Sequence, residues 1–232
     1  MNKLSNEKWE NKNICTNNEF SYYYYKELVN KYMKNDCREI NFQNRVVIQF
    51  LDKLFINTEG ISIVDVSMQY KNRNSKIHDI SNYSSQEKGA APPDLLIAHN
   101  WNYANENNKE INYLAVIEIK SPVLDPIYDK KIEDDKYKEH TKNEVKFHLK
   151  ANYKVILTDC IRWQFFQRGC ELDPIPTIDL FDENKKWKTK IRKNDKFLIE
   201  QLQFGSTRED DPDEWKQLCD YIRKFITEKK NY

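Results

Sequence analysis

Two short apolar segments closed by charge constrain this chain more than any other feature. They are Asp94-Leu95-Leu96-Ile97-Ala98 and Tyr113-Leu114-Ala115-Val116-Ile117-Glu118-Ile119-Lys120. Short, continuous apolar runs of this kind read as buried strands. Glu118 follows Asp94 by 24 positions, which leaves room for a strand, a turn and a return strand. Two carboxylates and a lysine are thereby expected at the ends of two hydrophobic strands.

The surrounding pattern supplies the rest of a fold. Residues 18–34 read as a helix with Tyr22 to Tyr25, Leu28, Val29, Tyr32 and Met33 on its apolar face. Ile40, Val47, Leu51 and Leu54 recur at near-helical spacing and place a second helix over 38–55,. After Gly60, alternation from Ile61 to Met68 predicts a strand,. Residues 71–92 read as a long loop, and 127–151 as a charged helix with weak apolar periodicity. A strand hairpin spans 153–168, and two helices follow at about 195–203 and 212–228. The order helix, strand, strand, strand, helix, strand predicts an α/β chain with a mixed β-sheet flanked by helices. No repeat or Gly/Ser linker is visible, so one domain over 1–232 is expected, with a core at about 38–168 and helical additions at about 18–34 and 195–228.

Carboxylate oxygens suit a hard divalent ion such as Mg²⁺, and a lysine beside them can face an anionic substrate. The competing reading is structural: Asp94 caps a turn, while Glu118 and Lys120 form a surface pair. Glu39, near the start of the second helix, is either a third acidic ligand or a first-turn glutamate favoured by the helix dipole.

Taken in order, Pro93-Asp94, Glu118-Ile119-Lys120-Ser121-Pro122 and the segment Tyr153-Lys154-Val155-Ile156-Leu157-Thr158-Asp159-Cys160-Ile161-Arg162-Trp163-Gln164-Phe165-Phe166 resemble the PD-(D/E)XK nuclease superfamily. They are similar to the nuclease domains of type I restriction enzymes. The resemblance covers roughly 39 to 168. It implies a restriction-endonuclease-like fold and a Mg²⁺- or Mn²⁺-dependent enzyme that hydrolyses DNA phosphodiesters. The setting it implies is endonucleolytic restriction or anti-phage defence. Asp94, Glu118, Lys120 and Glu39 would be catalytic, with Asp94, Glu118 and the main-chain carbonyl of Ile119 holding the metal. Three departures stand out. Asn41 occupies the position aligned with the usual helix glutamate, with Gln43 nearby. Asp159-Cys160 replaces a common Asn-Gly. No glutamine lies in 127–151, which separates the chain from the exonucleases with a Gln-x-x-x-Tyr pair there.

The 232 residues carry a formal net charge of +1, so any nucleic-acid contact needs local clustering. The clearest cluster is 185–196, with Lys185, Lys186, Lys188, Lys190, Arg192 and Lys193 around Trp187. Lys71, Arg73 and Lys76 form a smaller one. Either cluster can track a phosphate backbone or serve as a solvated surface. The 5 cysteines include no C-x-x-C pair, which argues against a zinc or iron–sulfur site and for reduced thiols in a cytoplasmic protein. No apolar run approaches the ~20 residues of a membrane span. Cutting both strands of DNA with one site per chain would require a homodimer or successive nicks. The rival reading is a nuclease-fold module that binds nucleic acid or a protein partner without cutting.

Overall fold

The computed structural model describes residues 20–67, 92–101, 112–127, 135–169, 175–180, 189–191, 197–199 and 213–228. Helix α1 (Tyr22–Asn35) begins at Ser21, whose hydroxyl accepts from the Tyr24 N–H at 3.2 Å,. The expected helix over 38–55 forms in three pieces. These are α2 (Glu39–Phe42), a π-helical turn (Gln43–Val47) and α3 (Ile48–Phe55). Gly60 then turns the chain at φ 77°, and a Cβ there would lie 2.7 Å from the His99 ring, so both the conformation and the space demand glycine.

Six strands form one sheet in sequence order: β1 (Ile61–Asp65), β2 (Leu95–His99), β3 (Asn112–Ile119), β4 (Lys154–Thr158), β5 (Arg162–Gln167) and β6 (Thr177–Asp179). β3 and β4 are parallel, and every other neighbouring pair is antiparallel. The parallel pair requires a crossover, and α4 (Asp135–Ala151) lies in that connection. This is an α/β fold with a six-stranded mixed sheet flanked by helices, as the pattern of elements predicts.

Strand alternation sorts the side chains onto two faces. Leu95, Ile97, Ala115, Ile117, Ile119, Ile156, Trp163 and Phe165 pack with α1, α3 and the C-terminal helix α5 (Asp213–Thr227). Tyr25, Phe50, Trp163 and Trp215 form an aromatic cluster there, with ring centroids 4.9–5.7 Å apart,. Both terminal helices therefore share the main core rather than decorating it. On the other face Leu96, Val116, Val155 and Leu157 meet Val145 of α4.

One element differs from expectation. The helix predicted over about 195–203 is instead a short strand, β8 (Phe197–Ile199), paired antiparallel with β7 (Thr189–Ile191). Three consecutive apolar residues carry no period, so helix and strand look alike there, and pairing decides. The predicted loop over 71–92 lies outside the described residues apart from Pro92. Among the described residues no helix is long and apolar enough to cross a membrane.

Candidate metal-dependent active site

Antiparallel pairing of β2 with β3 brings the start of one strand beside the end of the other, with Leu95 opposite Ile117. Asp94 and Glu118 thus meet at one end of two interior strands. The Asp94 carboxylate accepts from the Ile119 N–H at 2.7 Å. Its main-chain carbonyl accepts from Val66 N–H at 3.3 Å and from the Gln43 side-chain amide at 3.3 Å. The π turn delivers Gln43 to this position, where it is buried. Beyond β3, Lys120 N–H donates to the Thr158 carbonyl at 2.8 Å and extends the parallel ladder by one residue.

Glu118 points to the same sheet face as Val116, the face covered by α4. There it is 6% exposed. Lys120 Nζ donates to Glu118 Oε1 at 2.7 Å and forms an ion pair with Glu144 Oε2 of α4 at 2.8 Å. His148 Nε2 lies 3.0 Å from Glu118 Oε2. A carboxylate only accepts, so the tautomer that satisfies this contact carries its proton on Nε2. His140, at the exposed end of the same helix face, reaches Glu144 Oε1 at 3.2 Å.

The electrostatics are those of crowded carboxylates. Burial, with Glu118 and Glu39 beside it, pushes the Asp94 carboxyl up to about 8,. Burial likewise pushes Glu39 up to about 7. The Lys120 charge opposes that rise, while Glu118, Asp125 and Glu144 add to it. Glu39 therefore sits in the same electrostatic neighbourhood. For Glu118 burial also works against charge, but the His148 hydrogen bond and the Lys120 ammonium outweigh it and hold the carboxyl below its ordinary range. Burial opposes the charge on Lys120 too, yet Glu118 and Glu144 overcome it and raise its pKa.

The structure thus brings Asp94, Glu118 and Lys120 together, with Glu39 near enough for their charges to act on it. Asn41 does not join them: its side-chain amide donates to the Asp36 carbonyl at 3.3 Å. Of the basic candidates, Lys71, Arg73, Lys76, Lys185, Lys186, Lys188, Arg192 and Lys193 lie outside the described residues, while Lys190 lies on β7. Glu144 is a residue that sequence reasoning missed, and His148 is one that it weighs as a phosphate contact, zinc ligand or general base and sets aside as a core or surface histidine. Their i, i+4 spacing on a helix of weak apolar period was the available signal.

The Thr158-Asp159-Cys160 turn closes the end of the sheet beside the site. Cys160 adopts φ 69°, a left-handed conformation that favours glycine over other residues. Asp159 Oδ1 accepts from the Ile161 and Arg162 N–H groups at 3.0 and 2.7 Å, and Oδ2 accepts from Ile127 N–H at 2.8 Å. This Asp anchors the turn and the segment leaving Lys120.

The donor set suits a divalent cation in kind. Hard carboxylate oxygens are crowded closely enough to favour protonation, and a dication would relieve that repulsion. Among the described residues, however, no three His, Cys, Asp or Glu groups converge with metal-binding geometry. Both oxygens of Glu118 are engaged by Lys120 and His148. Comparisons with known protein families, curated proteins and solved structures find no match.

Proposed function

We propose that this chain is a divalent-metal-dependent nuclease of the PD-(D/E)XK kind that hydrolyses DNA phosphodiesters. The observation that carries this reading is the gathering of Asp94, Glu118 and Lys120 at one end of β2 and β3, with Glu39 of α2 within their field. Asp94, Glu118 and the main-chain carbonyl of Ile119 would hold Mg²⁺ or Mn²⁺. The ion supplies a Lewis acid for the phosphate and lowers the pKa of water.

The chain's own groups do the positioning. With its pKa raised by Glu118 and Glu144, Lys120 stays an ammonium. It therefore donates hydrogen bonds to attacking water or to the charge that develops on the phosphate, and it does not act as a base. Glu39, held near neutrality, is suited to accept a proton or to hold a water. A place in restriction or anti-phage defence, and a homodimer that cuts both strands, belong to the same proposal.

The second reading is a nuclease-fold module that binds without cutting. It is favoured by the engagement of both Glu118 oxygens. Cleavage of plasmid and short single-stranded DNA with Mg²⁺ or Mn²⁺, against an EDTA control, separates the two. Asp94→Ala and Glu118→Ala should each lose at least about 100-fold in rate with the fold intact by circular dichroism. Glu39→Gln should lose about ten-fold and need more metal. Wild-type rates in both Asp94→Ala and Glu118→Ala would place the chemistry elsewhere.

A further inference from the structure

Helix α4 contributes no ligand to the proposed metal, yet it makes two of the polar contacts that hold the charged pair. Glu144 and His148 are four residues apart, hence on one helix face. Glu144 meets Lys120 at 2.8 Å and His148 meets Glu118 at 3.0 Å. His148 is 1% exposed and Val145 is buried against the sheet, so the helix is seated in register by its apolar contact. A buried polar pair of this kind has a cost unless it is matched, and each member here matches one member of the β3 pair.

We infer that Glu144 and His148 are positioning residues that make Glu118 available to a divalent cation. This inference rests on the nuclease reading above. His148 fixes the Glu118 carboxylate through Oε2. Glu144 offers Lys120 a second carboxylate, so that Lys120 can release Glu118 Oε1 when a cation takes that oxygen and still keep a partner. Without Glu144, Lys120 has Glu118 as its remaining carboxylate contact and competes with the metal for it. Outer-shell partners of this type typically change metal affinity or activity by about 10- to 100-fold.

The test is Mn²⁺ binding to the full chain by calorimetry, run beside cleavage. Glu144→Gln keeps the shape and removes the charge, and His148→Ala removes the donor. Each should weaken Mn²⁺ binding by about ten-fold or more, and His148→Gln should recover part of the loss by restoring an N–H donor. Lys146→Ala, on the exposed side of α4, should bind Mn²⁺ as the wild type does. Far-ultraviolet circular dichroism should match the wild type for each variant; for any that misfolds, His148→Asn and Glu144→Asp provide gentler changes at the same atoms. Wild-type Mn²⁺ affinity in folded Glu144→Gln and His148→Ala overturns the inference and leaves the nuclease reading standing. A wild-type chain that neither binds Mn²⁺ nor cuts DNA overturns both.

Discussion

Lys120 and Lys154 are both buried, at 5% and 3% exposure, and they lie at opposite ends of the parallel pair β3 and β4. Among the described residues their partners differ in kind. Lys120 is bracketed by the carboxylates of Glu118 and Glu144. Lys154 donates to the main-chain carbonyls of Phe225 and, at 2.9 Å, Glu228, and stands 5.1 Å from the centre of the Phe225 ring. It thus caps the C-terminal end of α5, where the last carbonyls of a helix have no partners of their own and the dipole favours a cation. Burial alone does not mark a lysine as functional. Carbonyl partners do not titrate, and the two met by Lys154 close a helix end, so that lysine is a fixed part of the fold. Carboxylate partners can both titrate and exchange a lysine for a metal, so theirs belongs to a site whose state can change.

The largest expected difference is in activity. Lys120→Met should reduce DNA cleavage by about 100-fold or more, whereas Lys154→Met should cut at the wild-type rate at temperatures where it stays folded. Stability should separate the two in another way. Lys154→Met leaves helix-end carbonyls unmatched and should cost about 3 kcal/mol, by the same amount at pH 5 and pH 8. Lys120→Met strands Glu118 and Glu144, which can relieve their repulsion by protonation, so its cost should be smaller at pH 5 than at pH 8. Urea unfolding at the two pH values measures both. Equal pH dependence in the two variants would break the comparison.

A second expectation follows from the carboxylates alone. Asp94 and Glu39 are pushed up to about 8 and about 7, from ordinary values of 3.8 and 4.5. Between those limits the native state binds more protons than the unfolded chain. The stabilisation from this source is fully present below about pH 4 and is lost as pH rises through 7 to 8. In EDTA the Tm should therefore fall between pH 5 and pH 8.5. Saturating Mg²⁺ should raise Tm most at the alkaline end, because a ligand that binds only the native state stabilises it and deprotonated carboxylates bind the ion best. Thermal melts across that range check both halves. A Tm without slope in EDTA would mean that the carboxylates are not crowded as described.

The sequence made some of this legible. β2, β3 and the β4–β5 hairpin announce themselves because they are buried strands with charges or a turn at their ends, and α5 does so through an apolar stripe that begins beside Pro212. The contribution of α4 is hidden for a physical reason. Its inward face carries Glu144 and His148 next to Val145, so the apolar period that identifies a buried helix is broken where the helix meets the site. Phe197-Leu198-Ile199 misleads in the opposite direction, since three apolar residues suit either a helix or a strand. The π turn has no signature in residue type, and Gln43, its first residue, is the one whose amide meets the Asp94 carbonyl.

The smallest expected effects extend the lysine comparison to two amides. Asn41 and Gln43 both stand near the position where the resemblance expects an acidic ligand, and both donate to main-chain carbonyls, those of Asp36 and Asp94 respectively. By the rule drawn from Lys154, carbonyl partners make a residue part of the scaffold. Asn41→Ala and Gln43→Ala should then each cost about 1 kcal/mol of stability, the typical worth of one hydrogen bond. Neither should move the Mg²⁺ concentration needed for half-maximal cleavage. Gln43 is the sharper case, because its partner carbonyl belongs to the residue whose carboxylate is proposed to hold the metal. If Gln43→Ala shifts the metal requirement while Asn41→Ala does not, then a carbonyl contact beside the site transmits position to the carboxylate, and the division between fixed and exchangeable partners holds only at a distance from the metal.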